Sequence, residues 1–156
     1  GAANVYQMIG PYWGIVTAVM DVFKGVIPTY TACKLFNCSM IPVIIVSLGA
    51  IIGHNWSILN NFNGGRGLAT TMGTISVMNF NLALISFAVG VLVTWIINKY
   101  FDLNIRTCFI VYSLLVLIVL FFDFNPILIS YGLLILLIAG IRAWQLKVRG
   151  AYREEI

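Results

Sequence analysis

Charge is scarce in this chain: of 156 residues, only 9% are Asp, Glu, Lys or Arg. With 61% hydrophobic residues and a mean hydropathy of +0.99, too little polar surface exists to cover a water-soluble domain of this length. Histidine is rarer still. His54 stands alone, and Cys33, Cys38 and Cys108 show no ligand-like spacing, so no metal site is expected. The cysteines read as helix-packing residues or free thiols. Alternation with period two is missing from the apolar runs, which excludes a spanning β-barrel and leaves helices. A G-x-S-x-G element is also missing, as is any Ser/His/Asp arrangement. The net charge of +4 sits at the ends of apolar runs and gives no reason to expect nucleic acid. The chain opens at Gly1 without an initiator methionine or a preceding span, so an upstream piece is expected.

What is present is a series of apolar runs. Gly1–Met8 reads as a short polar opening, and Ile9 to about Leu35 as a first crossing that carries Asp21, Lys24, Gly25 and Pro28. Ile41–Ile52 and Leu68–Met78 are short beside the roughly 17–25 residues that a crossing helix needs. The first of these either continues through His54 toward Leu59 or remains a broken helix. Leu82–Ile97, Cys108–Phe122 and Ile127–Ile141 complete about six crossings, followed by a short basic tail over 142–156. The expected fold class is all-α, a polytopic membrane protein forming one domain over 1–156. If the tail is cytoplasmic, alternate loops place Arg66, Lys99, Arg106, Arg142, Lys147, Arg149 and Arg153 inside and Lys34 alone outside. Tyr12, Trp13, Trp56, Trp95, Tyr100 and Trp144 then fall near the same boundary, as interfacial aromatics tend to.

One polar island interrupts this pattern. Gly53–Thr70 holds His54, several asparagines and Gly64-Gly65-Arg66-Gly67 directly before Leu68-Ala69-Thr70. Glycines let a backbone approach a ligand, and the free N–H groups at a helix start favour an oxyanion. Arg66 adds a fork of donors suited to phosphate, although a flexible interfacial turn with one arginine explains the same residues. Asp21 and Lys24 share one helix face and read as lining of a polar site, or as a structural ion pair. Gly25 and Pro28 weaken the helix beside them and free backbone groups.

Together, Gly1-Ala2-x-Asn4-Val5, Asp21-x-x-Lys24-Gly25-x-x-Pro28 and Gly53-His54 with Phe62-x-Gly64-Gly65-x-Gly67-x-Ala69-Thr70 resemble the PlsY family. These are bacterial membrane acyltransferases that move an acyl chain from acyl phosphate to glycerol 3-phosphate. The resemblance covers about the first half of the chain; the later spans match only as hydropathy. It implies seven transmembrane helices, hence one helix upstream of the six counted here, with motif loops and C-terminus on the cytoplasmic side of the bacterial cell membrane. It implies lysophosphatidic acid and inorganic phosphate as products, with no cofactor. Carried over by position, His54, Lys24 and Asn4 would be the catalytic residues. Gly64, Gly65, Arg66, Gly67 and Thr70 would bind substrate phosphate, supported by Asp21, Gly25 and Gly53.

Several positions depart from the family pattern. Arg66 stands where lysine is usual, Ala3 for threonine, Gln7 for arginine and Ser57 for proline, and residues 141–150 do not show the last motif. The alternative expectation is therefore a degenerate, non-catalytic homologue, a structural or phosphate-sensing subunit with partners in a membrane complex. A transporter of phosphorylated metabolites ranks third, favoured only by the short helices.

Overall fold

The computed structural model describes residues 1–101 and 125–154, and every described element is helical. The expected span Cys108–Phe122, with Asp102, Arg106 and Asp123 around it, lies outside the described residues. Chain contacts group into two compact units, Gly1–Leu84 and Ile85–Ile156.

In the first unit, the expected polar opening is a helix, α1 (Ala2–Met8). Gly10, at φ 129°, breaks the chain, and Pro11 starts α2 (Pro11–Tyr30) where its missing N–H costs nothing. The helix runs through Pro28 without a break and widens into a π-helical turn over Thr31–Leu35. Pro28 has no N–H to offer Lys24 O, yet the helix continues past it to Tyr30. α3 (Met40–Asn55) follows and ends just beyond His54; a 3-10 turn covers Ile58–Asn60. α4 spans Leu68–Met78, with the boundaries that the apolar run implied.

α2 is the hub of this unit and packs on α1, α3 and α4. Its contact with α4 is made by glycines. A Cβ on Gly25 would run into Thr70 O and Thr74 N, and one on Gly73 would run into Val22 O and Val26 N. The two backbones therefore touch reciprocally, the small-residue packing that membrane helices favour. Thr70 Oγ1 donates to Asp21 O at 3.0 Å, and Thr29 Oγ1 meets Ser47 Oγ at 3.1 Å, fastening α2 to α4 and to α3.

α5 (Phe80–Phe101) begins in the first unit, where Asn79 Oδ1 accepts from Leu82 N at 3.0 Å as an N-cap. In the second unit α6 (Pro126–Glu154) starts in the same way, with Asn125 Oδ1 accepting from Ile127 N at 3.0 Å. The helix continues through the basic residues to Glu154, and Arg142 belongs to its buried stripe with Leu128, Tyr131, Ile135 and Ala139. Spacings of three and four residues put all five on one helix face.

Burial mixes polar with apolar residues, and many large apolar side chains face outward. Asp21, Thr29, Ser47, Asn55, Thr70, Thr71, Thr74 and Ser86 are buried, whereas Ile15, Phe23, Ile45, Leu84, Phe87, Leu92 and Leu137 are exposed. The hydroxyls of Thr17 and Ser130 bond to carbonyls of their own helix at 2.8 Å, which meets these donors without water. Met40–Asn60 and Pro126–Leu146 are each long and apolar enough to cross a bilayer. α4, at 11 residues, is about 16 Å long and reaches only about half-way through a ~30 Å hydrocarbon core. These features describe an all-α, polytopic membrane fold.

Candidate active site

Asp21 is the centre of the site. It faces inward from α2 with its side chain 4% exposed, and Lys24, one turn on, places Nζ 2.7 Å from Oδ1. His54, at the end of α3, brings Nδ1 to 3.4 Å from the same oxygen. One carboxylate therefore gathers two cationic or potentially cationic groups within a membrane fold, where paired charges are tolerated better than single ones. Lys24 is unlike its partners in keeping 56% of its side chain exposed, so its ammonium can meet a ligand without leaving Asp21. With Nδ1 turned to the carboxylate, the other nitrogen of His54, Nε2, faces the glycine loop.

That loop is folded onto the end of α3. Gly65 N donates to His54 O at 3.2 Å. A Cβ on Gly65 would strike His54 Nε2, and one on Gly64 would strike His54 O. Gly67 caps α4 with φ 80°, a conformation that L side chains rarely adopt. The first helical bond of α4 is Thr71 N to Gly67 O at 2.8 Å, which leaves the N–H groups before it without an intrahelical acceptor. They carry the positive end of the helix dipole, the usual seat of an oxyanion. Gly1 joins from the other side; a Cβ there would stand 3.2 Å from Gly65 Cα.

The asparagines ahead of the loop have a different task. Asn60 Nδ2 donates to Asn63 O at 2.5 Å, and Asn61 takes a left-handed φ of 48°. Phe62 follows at φ 61°, unusual for a bulky residue, with its N–H bonded to Ser57 O at 2.9 Å. These residues build the turn that carries the chain from α3 back to the glycines.

Of the residues expected at the site, Asp21, Lys24, His54, Gly64, Gly65 and Gly67 come together, with half-buried Arg66 among them. Thr70 lies beneath, fully buried, and spends its hydroxyl proton on Asp21 O. Gly25 serves the α2–α4 contact. Gly53 has open space around it and no steric need to be glycine. Asn4 is exposed on α1. Asn55, which sequence reasoning passed over, lies at the heart of the loop; its place directly after His54 was the only signal.

The family model for glycerol-3-phosphate acyltransferase matches residues 1–149. The chain belongs to this family. Among named glycerol-3-phosphate acyltransferases, that of Fusobacterium nucleatum is 38% identical over 103 residues, covering 66% of this chain and 52% of that protein. The Shouchella clausii protein is 33% identical over 147 residues, covering 93% of this chain and 70% of its own length. The chain spans about half the length of several curated relatives that it matches. Crystal structures of PlsY, an integral membrane glycerol 3-phosphate acyltransferase, share the fold. The lysophosphatidic acid form gives a TM-score of 0.82 at 24% identity over 97% of this chain and 76% of that one. The glycerol 3-phosphate form gives 0.81, again at 24% identity, over 97% and 74%.

Proposed function

We propose that the protein is a membrane acyltransferase that moves an acyl chain from acyl phosphate to the 1-hydroxyl of glycerol 3-phosphate. The observation that carries this reading is the Asp21 carboxylate holding Lys24 and His54 against the glycine loop. Both substrates are anions, and one has a lipid tail that belongs in the bilayer. Acyl phosphate is already activated, so the protein's task is to hold two phosphates close and offset their repulsion. Lys24, Arg66 and the first N–H groups of α4 supply positive charge and donors for this. Asp21 orients Lys24 and His54, and His54 Nε2 points toward the phosphate from below the loop. The hydroxyl oxygen attacks the acyl carbonyl carbon, and the bond from that carbon to the phosphate oxygen breaks. The hydroxyl proton passes to an oxygen of the departing phosphate, which leaves lysophosphatidic acid and inorganic phosphate.

In this reading the chain is a multi-pass protein of the bacterial cell membrane, with the glycine loop and the C-terminus facing the cytoplasm. A second reading, a phosphate-binding subunit without catalysis, is favoured by Gln7 and by residues 141–150, where the expected motif residues are replaced.

The test is turnover. Purified protein in detergent, given palmitoyl phosphate and glycerol 3-phosphate, should release phosphate and form lysophosphatidate in equal amounts. Binding of glycerol 3-phosphate with no turnover above a blank would select the subunit reading. Neither binding nor turnover by folded protein would sink both.

A further inference from the structure

Asn55 closes α3 directly after His54, and its side chain has no structural explanation within the fold. The residue is 1% exposed, and neither Oδ1 nor Nδ2 has a hydrogen-bond partner among the described residues. A buried carboxamide without partners opposes folding, because water bonds it in the unfolded chain. Leucine has nearly the same size and would not incur that penalty. A group kept at such a cost points to a task outside the fold's own bonding.

Its surroundings indicate the task. A Cβ on Gly67, the N-cap of the 11-residue helix α4, would stand 2.6 Å from Asn55 Oδ1 and 3.2 Å from Nδ2. A Cβ on Gly64 would stand 2.7 Å from the Asn55 backbone oxygen. The amide thus lies under the residue from which the unpaired N–H groups of α4 begin. The start of α4 and a buried amide lie side by side, the amide with neither a donor for Oδ1 nor an acceptor for Nδ2.

We infer that Asn55 is a phosphate-binding residue of the glycine loop, its Nδ2 donating to an oxyanion seated on the first turn of α4. This rests on the loop being the phosphate site, as proposed above. Gly67 covers the amide, so contact requires the backbone to rotate there. At φ 80° and without a Cβ, Gly67 can make that rotation where other residues would clash. The neutral amide adds a donor without adding charge beside the ion pair of Asp21 and Lys24.

The test replaces Asn55 by leucine in the full chain and measures two quantities in detergent: the melting temperature, and KM and kcat for glycerol 3-phosphate with palmitoyl phosphate saturating. Asn55→Leu should melt at the same temperature or higher, because it removes an unbonded buried amide. Its KM, or its Kd for glycerol 3-phosphate by calorimetry, should rise about tenfold or more, with a smaller change in kcat. A lower melting temperature with KM and Kd unchanged would show that the amide serves only the fold and would overturn the inference. So would no change in any quantity. If Asn55→Leu does not fold, Asn55→Ala carries the same KM and Kd comparison. An active wild type with an unaffected variant overturns only the Asn55 role. A wild type that neither binds nor turns over glycerol 3-phosphate overturns the functional reading as well.

Discussion

Glycines that look alike in the sequence stand in different positions in the structure, and substitution should separate them. Gly53 lies on α3 with nothing near its Cβ direction, so Gly53→Ala should raise stability by about 0.5–1 kcal/mol through helix propensity and leave turnover unchanged. Thermal unfolding and the turnover assay check both halves. Asp21 is the opposite case. In Asp21→Asn the side chain keeps its size but can no longer draw in two cations, so Lys24 and His54 lose their shared anchor. Turnover should fall about 100-fold or more, in the range found when a positioned polar group at a reacting centre is lost. A fall of less than threefold in a folded variant would mean that the ion pair only holds helices. Arg66→Ala should weaken glycerol 3-phosphate binding well beyond Arg106→Ala; equal effects would reduce Arg66 to an orientation charge.

At the scale of elements, the contact between α2 and α4 decides where Asp21 sits. Gly25 and Gly73 let the two backbones touch, and Thr70 fastens them by its bond to Asp21 O. Gly73→Ala should cost about 1–3 kcal/mol as the helices are pushed apart, read as a drop in melting temperature. Thr70→Val should cost about 1 kcal/mol, the loss of one bond, with KM for glycerol 3-phosphate unchanged. A raised KM at an unchanged melting temperature would instead return Thr70 to the phosphate site. Much of this level was legible in advance. The bounds of α4 could be read because a polar glycine loop and Asn79 bracket an apolar run. The reciprocal fit of Gly25 and Gly73 could not, because it depends on the register between two helices fifty residues apart. The helical continuation past Arg142 was readable in principle: Leu128, Tyr131, Ile135, Ala139 and Arg142 keep one period, but the charges after Ile141 suggested a tail.

For the whole molecule, composition alone pointed to a membrane fold, since so few polar residues cannot cover a soluble surface. The structure adds where polar residues of the first unit go: Asp21, Thr29, Ser47, Asn55, Thr70, Thr71 and Thr74 are buried, while many large apolar side chains face outward. The polar island resolved into two parts that sequence could not tell apart. Asn60, Asn61 and Asn63 build a turn, while His54 and Asn55 pack against Gly64, Gly65 and Gly67. Asparagine serves turns, caps and ligands equally well, and only its partners distinguish these uses. Asn55 escaped notice because its distinguishing property, burial without a partner, does not exist until the loop has closed on it.

The central claim is that the glycine loop and His54 form one phosphate site, and Gly65→Ala tests it most directly. The added methyl group would run into His54 Nε2 and force the loop off the imidazole, while the helices stay as they are. Glycerol 3-phosphate binding by calorimetry, compared with wild type and with Gly53→Ala at equal helix content, is the measurement. Binding should weaken at least tenfold in Gly65→Ala and stay at the wild-type level in Gly53→Ala. Equal binding by all three would contradict a phosphate site built from the glycine loop and His54.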